Sequence, residues 1–163
     1  VEEVAEMSLV VQKLQKNPFD MEAGGNEAAL STYKNKDNVY YIPSTHLQEA
    51  LVKAGSEINV KGKGKKTYKD YMKSYVFVDP DEIPIQPQKY ELDRAFVKVQ
   101  RNGIYRHRPR FENWGAEFSL MITDPTLPLD EIKKILEIAG TRKGIGDYRP
   151  RFGLFEVTAF DVV

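Results

Sequence analysis

Residues Arg94 to Arg101 alternate, with Ala95, Val97 and Val99 on one side and Phe96, Lys98 and Gln100 on the other, and Asn102-Gly103 follows directly. Alternation at period two marks a half-buried strand. Asn-Gly is the strongest short hairpin signal, because both positions tolerate a positive φ. Ile104 to Phe111 is then the return strand. A two-residue turn at Asn102-Gly103 pairs Val99 with Arg106 and Val97 with Arg108, which sets arginines on the valine face. A bulge near Pro109, or a ribbon projecting beyond the core, relieves that conflict.

The remaining elements are read around this hairpin. Val4 to Leu14, β-branched and apolar without a breaker, is expected to be a strand. Asn17 to Asn38, with Pro18, Gly24 and Gly25, is expected to be a long loop, and Val39 to Ile42 a short strand. Thr45-His46-Leu47-Gln48 has the form of a capping box. Leu47, Ala50, Leu51 and Ala54 then recur at helical spacing, and Gly55 is placed to end the helix. Tyr75 to Val78 is β-prone, while Pro80, Pro84 and Pro87 keep the next stretch off the middle of a sheet. Trp114 to Thr123 alternates, with Ala116, Phe118, Leu120 and Ile122 inward. Leu129 to Ala139 is a second helix ended by Gly140, and Phe155 to Val163 a last strand.

That order matches the ferredoxin-like βαββαβ pattern. The expected fold is α+β: an antiparallel sheet with two helices on one face, plus a β-hairpin and long inserted loops. At 163 residues the chain reads as a single domain, 1–163. RRM-type modules use the open face of such a sheet for single-stranded RNA.

Composition removes several chemistries. The absence of cysteine excludes disulfides, thiolate zinc sites and a cysteine nucleophile, and two histidines make a poor transition-metal site. No cofactor and no metal is expected. Apolar runs such as Ser8-Leu9-Val10-Val11 are too short to span a bilayer. The chain begins at Val1 without a basic-then-apolar leader, so the expected location is cytoplasmic.

Net charge is zero, with 24 basic and 24 acidic residues, but the charge is segregated. Ala95 to Phe111 carries Lys98, Arg101, Arg106, Arg108 and Arg110 and no acid. Lys61 to Lys73 holds six lysines against Asp70. The tetrapeptide RPRF occurs twice, at Arg108 to Phe111 and at Arg149 to Phe152. In an extended strand Arg106, Arg108 and Arg110 project together about 7 Å apart, close to the phosphate repeat of an extended single strand. The plainer reading of this segment is a solvated hairpin whose arginines pair with Asp79, Asp81 or Glu82.

The second segment, from Gly140 to Gly153, sets four glycines beside Arg142, Lys143, Arg149 and Arg151, so that backbone can approach phosphates. Gly144 and Gly146 are the candidate phosphate-approach positions, and Tyr105 and Tyr148 the candidate stacking rings. It is not a P-loop, because the loop follows a helix and opens none. Its bland reading is a helix-to-strand connection that needs glycine for its turns. His107, among arginines, is the one residue a metal-independent ribonuclease could use as general base, and no partner for it is evident.

Tyr41-Ile42-Pro43-Ser44 leading into Leu47-Gln48-Glu49-Ala50-Leu51, Arg108-Pro109-Arg110 before Trp114, and Gly144 to Val157 together resemble a family of small phage and prophage proteins. More distantly, the IPS…LxxAL stretch and the glycine-rich loop resemble the RAMP superfamily, the ferredoxin-like RNA-binding subunits and processing ribonucleases of CRISPR systems. That resemblance implies that Gly144, Gly146, Arg149 and Arg151 form a nucleic-acid-facing loop, with Lys61 to Tyr71 in a thumb-like part. The loop here is GIGDYRPRFG, not a plain glycine run, and no catalytic residue of the processing enzymes can be placed.

The expected function is non-enzymatic binding of single-stranded RNA or DNA, with self-association into a homo-oligomer or a larger nucleoprotein assembly. The two RPRF segments are expected to converge as halves of one cationic groove. The alternatives are a structural or adaptor protein of a viral assembly, and the ribonuclease.

Overall fold

The computed structural model describes residues 2–99 and 101–163, so the expectations for Val1 and Gln100 lie outside the described residues. In chain order the elements begin with α1 (Glu2–Lys16), α2 (Met21–Leu30), β1 (Tyr41–Pro43), α3 (Ser44–Gly55) and α4 (Lys69–Tyr75). There follow β2 (Val76–Asp79), β3 (Glu82–Gln86), β4 (Glu91–Val99), β5 (Asn102–Arg110), β6 (Gly115–Ala116), β7 (Ser119–Ile122), α5 (Leu129–Ile138) and a π-helical turn, Ala139–Lys143. The fold is mixed α+β, and β2·β7, β3·β6 and β4·β5 are all antiparallel pairs. The chain divides into two compact units. The first takes residues up to Tyr41 together with Pro84–Ala116, and the second takes Ile42–Ile83 together with Glu117–Val163.

In the first unit, the segment expected as an opening strand is helix α1. Its valines suggested β structure, but Ala5, Met7, Leu9, Gln12 and Leu14 are good helix formers, and Lys13 and Lys16 suit the C-terminal dipole. Val10 and Leu14, one turn apart, are buried with Ala23 of α2, and Leu30 packs against them. The expected loop after it contains α2. Asp20 caps that helix, its Oδ1 accepting the Ala23 N–H at 3.0 Å. Tertiary packing overrides the two adjacent glycines, as the site below explains.

The hairpin forms, but its turn lies earlier than expected. Val99 pairs with Asn102, so the chain reverses between them, and Asn102 and Gly103 belong to β5. The register sets Ala95 opposite Arg106, Asp93 opposite Arg108 and Glu91 opposite Arg110. The arginines do share the face of Ala95 and Val97, as expected, but none stands directly opposite a valine, and two of them face acids across the pair.

In the second unit, α3 buries Leu47, Ala50, Leu51 and Ala54 as its spacing requires. The expected capping box does not form: the helix starts at Ser44 after Pro43, with no side-chain cap. Gln48 is used elsewhere. Its Nε2 donates to the carbonyls of Met72 and Val76 at 2.9 and 2.8 Å, and its Oε1 accepts the Val78 N–H at 3.2 Å. One amide thereby holds the junction between α4 and β2. The helix ends at Gly55, followed by Ser56 as its C-cap, and a Cβ on Gly55 would stand 3.0 Å from Met72 Cγ, so the glycine also lets α4 pack closely.

Helix α5 buries Ile132, Ile135 and Leu136 and carries Asp130 and Glu131 in its first turn. Gly140 does not stop it. The π-helical turn continues to Lys143, and Gly144, at φ 66°, makes the break. The strand expected from Trp114 to Thr123 is split into β6 and β7, with Phe118, Leu120 and Ile122 half-buried as expected. Phe155 to Val163, expected as a last strand, lies outside the seven strands named above. It is tied instead by the Phe155 N–H, which donates to the Gly140 carbonyl at 3.0 Å.

Candidate functional site

The two RPRF segments fall in different units, Arg108 to Phe111 in the first and Arg149 to Phe152 in the second, and each is described by itself.

In the first unit the arginines of β5 meet Glu27, a carboxylate fully buried in α2. Arg106 Nη1 donates to Glu27 Oε1 at 2.9 Å, and Arg108 Nη1 lies 3.5 Å from the same oxygen. Oε2 accepts the His107 backbone N–H at 3.0 Å and stands 3.1 Å from His107 Nδ1. An ionised carboxylate only accepts, so Nδ1 carries the proton of that bond. A buried charge persists where its lone pairs are filled, and this one is met by two guanidiniums, an amide and an imidazole. The arrangement also satisfies a backbone donor on the edge of β5 away from β4. Gly24 makes room for it: a Cβ there would lie 2.6 Å from His107 Cδ2 and 2.9 Å from Nε2.

This reassigns three residues read as exposed chemistry. Arg106 and Arg108 hold α2 on the hairpin. His107 is 2% exposed, with both ring nitrogens enclosed by Glu27 and Gly24, a structural position rather than one open to a substrate. Arg110 pairs with Glu112 at 2.9 Å on the surface, where such pairs contribute little. The acids shown to meet these arginines are Glu27 and Glu112.

The hairpin face opposite Arg106 and Arg108, which His107 shares, gathers further rings around the candidate stacking ring Tyr105. Tyr105 packs edge-on against Phe96 at 5.2 Å and tilted against Phe19 at 5.7 Å. The Arg94 guanidinium lies 4.5 Å from the Phe19 ring centre and 5.6 Å from that of Tyr105. Phe19 and Phe96 are 59% and 58% exposed, and both touch Tyr105. The signal was present: strand alternation puts Arg94, Phe96 and Lys98 on one face, cross-strand from Tyr105. Phe111 joins a ring cluster with Tyr40 and Tyr90 at 5.7 and 5.8 Å.

In the second unit the glycine-rich loop is pinned at its ends. Ile145 N–H donates to the Gly153 carbonyl at 2.9 Å. Gly153 has φ 78°, and a Cβ on it would overlap the Ile145 carbonyl. Gly144 and Gly153 therefore serve chain closure. Gly146, at φ 86° with nothing within 4 Å of a Cβ, is the one open to an approaching group. Its carbonyl accepts Arg149 Nη1 at 2.7 Å, and Arg149 Nη2 lies 3.5 Å from Glu49. Arg142 and Lys143 both pair with Glu57, the first at 2.9 Å. The hydrogen bond from Lys143, followed by that from Arg142, holds the Glu57 carboxyl below the usual range.

Tyr148 and Phe152, 41% and 40% exposed, lie ring to ring at 5.7 Å, and the Arg151 guanidinium stands 5.8 Å from the Phe152 ring centre. Among the described residues no group of acids and histidines could hold a metal ion, and no helix is long and apolar enough to cross a membrane. Compared with protein-family models, with curated proteins and with solved structures, the chain matches none.

Proposed function

We propose that the protein binds single-stranded nucleic acid without catalysing a reaction on it, through two clusters of largely exposed rings, each cluster with a guanidinium beside at least one ring. The observation that carries this reading is the recurrence of that grouping in both units: Phe19, Phe96 and Tyr105 with Arg94, and Tyr148 and Phe152 with Arg151. Exposed rings accept bases by stacking, worth ~1–3 kcal/mol per base, and guanidiniums add phosphate contacts. The arginines committed to Glu27 position these surfaces, and Arg110, Arg149 and Arg151 keep exposed charge for phosphates. The reading includes a ferredoxin-like relation of the elements, a phage or prophage origin, a RAMP-like ancestry and a place in the host cytoplasm. These rest on the sequence resemblance. Fluorescence anisotropy of labelled oligonucleotides at low salt tests the binding, and micromolar protein that leaves both ssDNA and ssRNA free would sink it.

A second reading, a structural or adaptor protein of a viral assembly, is favoured by the internal neutralisation of Arg106, Arg142 and Lys143 by Glu27 and Glu57. It requires the purified protein to oligomerise without nucleic acid.

A further inference from the structure

The outward face of the β2·β7 pair belongs to neither ring cluster described above. Val76 and Val78 are buried, so Phe77 between them points the opposite way, and it is exposed. The register sets Phe77 directly across from Met121, which is exposed as well. Paired positions stand about 5 Å apart at Cβ, so ring and thioether form one apolar platform. Tyr75 extends it. Its carbonyl accepts the Thr123 N–H at 2.9 Å, one step beyond the pair of Val76 with Ile122, and its side chain is exposed.

The row of rings continues onto α4, where the Tyr71 ring lies 6.0 Å from that of Tyr75. Here the lysine-rich turn meets it. Lys63 Nζ donates to the Tyr71 hydroxyl at 2.9 Å, and the Lys63 and Lys66 ammoniums lie 5.5 and 5.0 Å from the Tyr71 ring centre. Backbone holds the turn in place: the Val60 N–H donates to the Lys66 carbonyl at 2.7 Å, and the Tyr68 N–H to the Ile58 carbonyl at 3.0 Å. Acids stand nearby. Asp124 acts on Lys63, Asp130 and Glu131 line a cleft with Lys61 and Lys63, and Asp79 follows the platform along β2. From Lys61 to Lys66 the turn itself carries four lysines and no acid, so its tip is cationic.

We propose that this row is a further contact for the single strand. Bases stack on Tyr75 and on Phe77 beside Met121, and a phosphate meets Lys63 and Lys66. Exposed rings accept a base of any sequence by stacking, and ammoniums at one end of the row supply the backbone contact. An apolar partner would cover the rings and leave the four lysines unmatched, whereas a strand matches both. The inference rests on the strand-binding function proposed above and adds a third surface to it.

Photo-crosslinking of the wild type to iodouracil-substituted ssDNA and ssRNA, mapped by mass spectrometry, tests the placement without a variant. Crosslinks are expected on Tyr71, Tyr75, Phe77 or Met121. In fluorescence anisotropy, Tyr75→Ala/Phe77→Ala is expected to lose at least about tenfold in affinity, the scale of one stacked base. Lys63→Ala/Lys66→Ala is expected to lower the salt slope by about one per lysine. Crosslinks confined to Phe19, Phe96, Tyr105, Tyr148 and Phe152 overturn this surface alone and leave the strand-binding function standing. A Tyr75→Ala/Phe77→Ala variant that binds like the wild type does the same. A wild type that binds neither strand overturns both. Self-association in sedimentation that Phe77→Ala/Met121→Ala abolishes assigns the face to a second copy of the chain and likewise overturns the proposal.

Discussion

Gly24 and His107 occupy one site: a Cβ on Gly24 would stand 2.6 Å from Cδ2 of the buried imidazole. The neighbouring Gly25 has nothing within 4 Å of the same position. The two glycines are therefore expected to answer oppositely to alanine. Gly24→Ala forces ring or helix to move and costs about 1–3 kcal/mol. Gly25→Ala gains about 0.5–1 kcal/mol from helix propensity. Urea denaturation of the two variants measures both, and equal effects would contradict the packing described.

Glu27 is the anchor of the first unit, so its removal is expected to cost more than the loss of any surface pair. Glu27→Ala strands the His107 amide and two guanidiniums, at about 3 kcal/mol. Arg106→Ala is expected to cost about 1.5–3 kcal/mol, the worth of a hydrogen bond to a charged group. Arg110→Ala, at an exposed pair, stays within about 0.5 kcal/mol. Thermal melts rank the three.

The Glu57 pair gives a pH signature. Lys143 and Arg142 depress the carboxyl in the folded state. A depressed carboxylate contributes above its unfolded pKa, and that contribution disappears as pH falls through the lower, folded value. NMR titration of the Glu57 side chain is expected to give a midpoint below the usual carboxylate range, and Lys143→Ala to move it upward. High salt is expected to shrink the difference, because the pair is exposed.

Gly153 and Gly146 separate closure from opening in the glycine-rich loop. Both have positive φ, but only at Gly153 would a Cβ overlap backbone, at the Ile145 carbonyl. Gly153→Ala is expected to abolish hydrogen-exchange protection of the Ile145 amide. Gly146→Ala is expected to keep that protection and lose about 1–2 kcal/mol to the left-handed backbone.

The sequence was informative where one local signal had no competitor. The apolar spacing of Leu47, Ala50, Leu51 and Ala54, and that of Ile132, Ile135 and Leu136, made α3 and α5 of the second unit legible. It misled where a residue had two uses. Val10 and Val11 suggested a strand, yet the burial of Val10 with Leu14 on Ala23 is a helical relationship. Gly24 looked like a breaker and is a packing requirement for a histidine more than eighty positions away. Gln48 looked like a cap and instead bonds backbone at Met72, Val76 and Val78. The arginines of the hairpin were legible as a cluster; their carboxylate, Glu27, was hidden in a stretch read as loop.

The function proposed here depends on exposed rings more than on the total count of arginines. The most direct measurement is a salt titration by fluorescence anisotropy, with labelled ssDNA and ssRNA, of the wild type beside Phe96→Ala, Phe152→Ala and Arg110→Ala. The expected result is binding at low salt that weakens with salt, and a loss of about tenfold for each ring, the value of one stacked base. Arg110→Ala is expected to lower the salt slope by about one and to change affinity uniformly across sequences. Ring variants that bind as tightly as the wild type, or a wild type that binds neither strand, would contradict it.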